Sequence, residues 1–244
     1  MSIAYRYQDN KSDKFWWAEQ LDNEMVVNFG KTGSIGRYQL KEFDDEQSCR
    51  IALEKLVASK IKSGYQVDTS FDFNQHIYLD DVEMGISPLT SHPAFRKHFS
   101  DDFYYCCADE EAPFGSDEGH DTLGEISEQI RKSKSKTLDF STLVKYLNES
   151  VWGIAYLPVE SLDLEDVREL YTAKPIEMVQ SDMSAYACAF AQIKMTGKLN
   201  SQLKQQGILG LKRYMMIGQF HNQPDISPIA EQMLRELEAF PAGN

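Results

Sequence analysis

The apolar residues of this chain change their spacing once within the first 64 residues, and that change limits the fold more than any other feature. Up to residue 43, apolar and polar residues alternate in short runs, which is typical of β-strands. Turn signals separate these runs at Asp22-Asn23 and in a glycine-rich stretch that contains Gly30, Gly33 and Gly36. This part of the chain therefore predicts several strands joined by tight turns.

The next segment has the spacing of an amphipathic helix. Its apolar positions recur mainly at intervals of three and four residues, at Ile51, Leu53, Leu56, Val57 and Ile61. Asp44 or Asp45 is placed to cap the start of the helix, and Gly64 is placed to end it. Strands followed by a single amphipathic helix predict a small domain in which the helix packs on an antiparallel sheet.

The rest of the chain is expected to be mainly helical, so the whole protein is assigned to the α+β class. Helical spacing is found in seven segments, at residues 93–99, 122–133, 140–150, 162–172, 182–196, 200–217 and 226–239. The segment 185–191 is apolar almost all round, which predicts that its helix is the buried centre of this part. Short strands are predicted at residues 77–79 and 103–107.

A domain of residues 1–68, a connector of residues 69–91 and an acidic helical domain of residues 92–244 are the expected organisation. The net charge of −13 is unevenly distributed, because residues 1–68 hold 10 Lys/Arg and 11 Asp/Glu. The remaining 176 residues hold 15 Lys/Arg and 27 Asp/Glu. A strongly acidic surface repels phosphate, so nucleic acid is an expected partner only for the N-terminal domain.

A cytoplasmic location is expected. The first residues lack the basic and apolar regions of a secretory signal, and no run of 18 apolar residues predicts a membrane span. The four cysteines, Cys49, Cys106, Cys107 and Cys188, have the spacing of neither a disulfide framework nor a zinc site. Free thiols in a reducing compartment are the expected state.

Several segments of the N-terminal domain together resemble the WGR domain. They are Lys14-Phe15-Trp16, the run from Val26 to Arg37, Leu40-Lys41-Glu42-Phe43, Lys55-Leu56-Val57, and the closing Lys60-Ile61-Lys62 with Gly64-Tyr65. The acidic helical extension is similar to that of short uncharacterised bacterial WGR proteins. WGR domains also occur in poly(ADP-ribose) polymerases, where they contact DNA ends and neighbouring domains. The resemblance implies a binding or regulatory module and no catalytic one.

The tripeptide that gives the WGR domain its name is Phe29-Gly30-Lys31 in this chain. Phe29 can stack on a sugar or base, and Lys31 can neutralise a phosphate as a point charge. Arg37, at the far end of the glycine-rich stretch, can supply a second cation. Phe29, Gly30, Lys31 and Arg37 are therefore the candidate residues for binding nucleic acid or another partner. In the alternative interpretation, Phe29 is a core aromatic and Lys31 a solvated turn residue.

An acidic, turn-rich segment at residues 108–123 is the other unusual feature. Asp109, Asp117, His120 and Asp121, joined by His92 or His98, are weak candidates for a divalent-metal site. The structural alternative is that Asp121 caps a helix beginning at Thr122. A third interpretation is an acidic surface that contacts a basic protein. No catalytic residue and no cofactor is predicted, because no tested motif has the required spacing.

A non-catalytic binding or regulatory protein is therefore the expected function. A protein partner is expected, with nucleic acid as a second possible partner of the N-terminal domain, and no membrane contact. The sequence leaves the oligomeric state open. Two alternatives remain, which are a metal-dependent or hydrolase-like enzyme using residues 109–121, and an acidic mimic of nucleic acid that inhibits a basic partner.

Overall fold

A computed structural model describes residues 2–132, 139–140, 142–220 and 227–243. The chain divides into two compact units, Met1–Pro93 and Ala94–Asn244. The predicted division into a domain of residues 1–68, a connector and a domain of residues 92–244 stays a prediction. The α+β class is confirmed, since the first unit contains the sheet and the second is mostly helical.

The first unit is built on an antiparallel sheet of five strands, as the alternation predicted. Its strands are β1 Ile3–Gln8, β2 Asp13–Leu21, β3 Glu24–Lys31, β4 Arg37–Glu42 and β5 Gln66–Val67. Their order across the sheet is β4-β3-β2-β1-β5, so β2 is the central strand. Trp16 of β2 lies opposite Phe29 of β3, and Lys14 lies opposite Lys31.

The predicted amphipathic helix, α1 Glu46–Lys62, packs on one face of this sheet. The Asp45 carboxylate caps it by accepting the Ser48 N–H at 2.6 Å, which confirms one of the two proposed caps. The cluster beneath the helix consists of Tyr5, Trp16, Met25, Val27 and Cys49. Full burial of each large apolar side chain contributes about 1.5–3 kcal/mol, so this face supplies much of the stability of the unit.

The opposite face of the sheet is covered by residues 71–78. Phe71 packs on Phe15 with ring centroids 5.5 Å apart, and Phe73 packs on Trp17 at 5.6 Å. Phe15, Trp16 and Trp17 are each 0–1% exposed because the central strand is covered on both faces. A one-sided sheet would have left alternate residues in water.

The strand predicted at residues 77–79 was wrong. These residues form no backbone ladder, and both Tyr78 and Leu79 are buried. The carbonyl of Ile77 accepts the Tyr38 hydroxyl at 2.8 Å, and Tyr78 packs on Trp17. This segment is therefore held by side-chain contacts with the sheet and not by strand pairing.

Helices are found in all seven predicted segments. Their bounds are α2 Pro93–His98, α3 Asp117–Lys132, α4 Leu143–Tyr146, α5 Leu164–Ala173, α6 Pro175–Thr196, α7 Ser201–Phe220 and α8 Pro228–Ala239. A π-helical turn, Leu147–Val151, continues α4. Residues 133, 141 and 226, which the predicted segments included, lie outside the described residues.

The central position predicted for the helix around residues 185–191 is confirmed. Every residue of α6 from Ser181 to Ala191 is buried. Its neighbour α7 approaches closely because glycines face it. A Cβ atom at Gly207 would lie 2.9 Å from the Cβ of Ala189, and one at Gly210 would lie 3.0 Å from the Asp182 carbonyl oxygen. Small residues at this contact therefore set the distance between the two helices.

A buried ion pair joins the same two helices. The Arg213 guanidinium donates to both Asp182 carboxylate oxygens at 3.0 Å, and both side chains are 1% exposed. Arg213 also donates to the carbonyls of Leu157 and Pro158, at 2.7 and 3.2 Å. Burial raises the pKa of the Asp182 carboxyl to about 7, and the contact with Arg213 opposes that rise.

Two local predictions in the second unit were wrong. The strand predicted at residues 103–107 is a 3₁₀ helix, Asp102–Tyr105, in which Tyr104 packs on Phe99 at 5.0 Å and Tyr105 on Phe95 at 5.9 Å. The third helix begins at Asp117 and not at Thr122, so Asp121 does not cap it. Ser116 caps the helix instead, because its hydroxyl accepts the Gly119 N–H at 3.1 Å.

Among the described residues, no helix combines the length and the apolar character needed to cross a membrane.

Gly36 and Gly33 provide a matched test of the glycine-rich turn. Both have positive φ, +78° and +84°, so alanine costs about 1–2 kcal/mol at either position. A Cβ at Gly36 would also lie 2.5 Å from Phe15 Cζ, whereas nothing lies within 4 Å of one at Gly33. We expect Gly36→Ala to lower the free energy of unfolding by at least about 1 kcal/mol more than Gly33→Ala. Urea unfolding followed by tryptophan fluorescence measures the difference, and equal losses would contradict it.

Candidate functional site

A groove of about 550 Å³ opens on the first unit beside the β2–β3 hairpin. It is lined by residues from one loop, two strands and the segment after α1, which are Lys11, Ser12, Asp13, Lys14, Phe15, Phe29, Gly30, Lys31 and Tyr65. The groove therefore combines three lysines with aromatic side chains.

Three of the four predicted binding residues, Phe29, Gly30 and Lys31, line this groove. The fourth, Arg37, begins β4 opposite Phe29, is exposed and does not line it. Gly30 is required for close approach of the chain, because a Cβ there would lie 2.8 Å from the Gly36 Cα. The structure thus brings the altered tripeptide into one concave surface and leaves Arg37 beside it.

Phe29 is half-buried. It packs against the cluster beneath α1, in agreement with the interpretation of Phe29 as a core aromatic, and it also lines the groove. Lys31 is exposed at the end of β3. The structure therefore shows a packed aromatic ring at Phe29 and a solvated cation at Lys31, and both residues also line the groove.

Sequence reasoning missed Lys14 as a site residue. Lys14 and Lys31 are direct cross-strand partners in the antiparallel pair of β2 and β3, so their side chains project from the same face. Both are exposed, and Lys11 of the preceding loop lines the same groove. Only the register of the hairpin reveals this pair, since 17 positions separate the two lysines in the chain.

Asp13, the acidic residue of the groove lining, is engaged by other groups. The Arg6 guanidinium donates to its two carboxylate oxygens at 2.7 and 2.6 Å, and the Thr32 hydroxyl donates at 2.7 Å. These hydrogen bonds lower the pKa of Asp13 to about 2, with that from Arg6 the largest cause. Asp13 is therefore ionised at neutral pH, and Arg6 compensates its charge.

The turn after Lys31 is also held from the opposite face of the sheet. Asn28, fully buried, donates from Nδ2 to the Ile35 carbonyl at 3.2 Å. Its Oδ1 lies 3.0 Å from His76 Nε2, and His76 belongs to the segment that covers this face. A buried polar contact of this kind is costly to break, so the turn is fixed from both sides.

The weak metal candidates do not form a cluster. Asp117, His120 and Asp121 lie exposed in the first turns of α3, and the Asp109 carboxylate accepts the Glu111 N–H at 3.1 Å. In the described ranges, no group of three or more His, Cys, Asp or Glu side chains is arranged to hold a metal ion.

The two histidines proposed to join the metal candidates make other contacts. The His92 ring packs on Tyr78 with centroids 5.4 Å apart, and its Nε2 lies 3.3 Å from the Asn74 carbonyl oxygen. His98 Nε2 lies 2.8 Å from the Glu236 carbonyl oxygen. Both rings are therefore engaged in packing and hydrogen bonding within their own units.

Repulsion between Lys14 and Lys31 has a measurable cost. Like charges directly opposite on a sheet destabilise it by roughly 0.2–1 kcal/mol. We expect Lys14→Gln to raise the free energy of unfolding by that amount at low salt, with the gain shrinking as salt screens the pair. Lys55→Gln on α1 removes the same charge outside the groove and should give no such gain. An equal gain from both variants, measured by urea unfolding, would argue against pairwise repulsion.

Comparison with known proteins identifies the family of this chain. The WGR domain family matches residues 1–72. Over an alignment of 246 positions covering 100% of both chains, the protein is 42% identical to the uncharacterised protein YfeS of Escherichia coli (strain K12). It is 46% identical to E. coli YehF over 59 residues, 24% of this chain and 22% of YehF. A Bacteroides fragilis protein of known structure is 26% identical, with a TM-score of 0.28, over 43% of this chain and 31% of that one. The chain therefore belongs to the family of WGR-domain proteins that includes YfeS.

Proposed function

We propose that this protein is a non-catalytic binding or regulatory protein whose WGR domain holds an anionic partner in the groove of the first unit. The observation that supports this is the exposed pair of Lys14 and Lys31, placed opposite each other beside the ring of Phe29. A cross-strand pair of like charges costs stability in the free protein, and a bound anion removes that cost.

Nucleic acid is the partner chemistry that this groove suits best. Three lysines supply point charges for phosphates, and Phe29 and Tyr65 supply aromatic surface for a sugar or base. Arg37, exposed beside the groove, offers another cation to a longer ligand. Residues 1–68 hold 10 Lys/Arg and 11 Asp/Glu, so this domain lacks the strong negative charge of the rest of the chain, which would repel phosphate.

A protein partner stays a prediction for the first unit, as does a second protein contact through the acidic second unit. The enzyme and nucleic-acid-mimic alternatives also remain predictions. Among the described residues, no three His, Cys, Asp or Glu side chains are arranged to hold a metal ion, and no observation favours either alternative over a binding role.

Lys31→Ala tests the proposal in a fluorescence-anisotropy titration with duplex DNA that has free ends. Each lysine–phosphate contact releases about 0.9 counterion, so losing one contact weakens binding about eightfold at about 0.1 M salt. The same loss reduces the slope of log affinity against log salt by about 0.9. Phe29→Leu, which keeps an apolar side chain without the aromatic ring, should weaken binding with no change in the slope.

Lys55→Ala is the matched control, because Lys55 is an exposed lysine of α1 that does not line the groove. We expect its affinity and slope to equal those of the natural protein. Absence of salt-sensitive binding by the natural protein would overturn a nucleic-acid role. Binding that Lys31→Ala and Lys55→Ala weaken equally would place the ligand outside the groove.

A further inference from the structure

We infer that Asp13 is a positioning residue of the groove, which holds Lys14 and Lys31 together as a clamp for one anionic group. This inference rests on the proposed function, because it concerns how the same groove binds. It adds a role for Asp13, as the group that fixes the geometry of the two lysines.

Two loops meet at Asp13. The loop between β1 and β2 ends at this residue, and the turn between β3 and β4 begins immediately after Lys31. The Thr32 hydroxyl donates to the Asp13 carboxylate at 2.7 Å, and the Thr32 N–H donates to the Asp13 carbonyl at 3.0 Å. Asp13 is therefore hydrogen-bonded twice to Thr32, the residue that follows Lys31.

The chain on the other side of Thr32 is also fixed to Lys31. Ser34 donates to the Lys31 carbonyl twice, from its N–H at 2.9 Å and from its hydroxyl at 2.7 Å. The backbone at Lys31 is thus restrained within its own turn, and Thr32 connects that turn to Asp13. A change in the Asp13–Thr32 contact will be transmitted to Lys31 over one peptide unit.

The loop that precedes Lys14 is similarly ordered. The Asp9 carboxylate accepts the N–H groups of Lys11 and Ser12 at 2.7 and 2.6 Å, and the Tyr7 hydroxyl at 2.8 Å. These contacts lower the pKa of Asp9, the bond from Lys11 most of all. The loop is therefore preorganised, and Asp13 joins one ordered segment to another.

The charges of Lys14 and Lys31 explain why the Asp13–Thr32 connection is needed. Lys14 and Lys31 repel each other across the hairpin, and nothing in their own chemistry holds them at one separation. Arg6 makes a bidentate contact with the Asp13 carboxylate, which directs most of the carboxylate's attraction to Arg6, while Lys31 interacts with it more weakly. Two cations held at a fixed separation can contact one anionic group at the same time. Side chains that are free to move bind such a group more weakly, because they must be ordered on binding.

Thr32→Val and Thr32→Ser form the test pair. Valine matches the shape of threonine but cannot donate to Asp13, whereas serine keeps the hydroxyl. Neither variant changes the charge of the groove. With free-ended duplex DNA as the probe, we expect Thr32→Val to weaken binding about eightfold at about 0.1 M salt and to lower the salt slope by about 0.9. Thr32→Ser should bind as the natural protein does.

The salt slope separates positioning from stability. Thermal unfolding of each variant reports any general loss of stability, which does not by itself change the number of counterions released. A natural slope and affinity in Thr32→Val would overturn the positioning role while leaving the binding proposal intact. Failure of the natural protein to bind the duplex would overturn both.

Discussion

Burial of the central strand on both of its faces is the constraint on which the first unit depends. Trp16 and Trp17 are consecutive in β2 and therefore project to opposite faces, yet neither has more than 1% of its surface exposed. Helix α1 covers the first and residues 71–78 cover the second. Removal of either cover would expose a large aromatic surface, so the segment after the sheet is as necessary to the fold as the helix.

The packing of this core determines the shape of the groove. Phe15, packed on Phe71 in the second face, lies so close to Gly36 that any side chain there would collide with it. The buried amide of Asn28 fixes the same turn through Ile35. Core packing therefore determines the path of the turn after Lys31, and the exposed lysine has a defined position because its neighbours are buried.

Electrostatic contacts have different purposes in the two units. In the second unit, the Arg213–Asp182 pair is buried and also satisfies two backbone carbonyls, so it fixes how α6, α7 and the chain at residues 157–158 pack. In the first unit, the Arg6–Asp13 pair is about one-third exposed and joins β1 to the first residue of β2 beside the groove. Solvent weakens such a pair, and its value lies in orienting the Asp13 carboxylate more than in stability.

The sequence by itself determined the α+β class, the antiparallel sheet, the seven helical segments and the WGR resemblance, because period and turn chemistry are local properties. It also selected Phe29, Gly30 and Lys31 as candidate binding residues, and these neighbours in the chain line one groove. Only the tertiary structure decided that Lys14 faces Lys31, that Asp13 is bonded to Thr32, and that residues 71–78 cover the sheet. It also decided that residues 103–107 turn around Phe99 and do not form a strand. These features depend on strand register and on contacts between distant residues, which hydrophobic spacing along one chain does not encode.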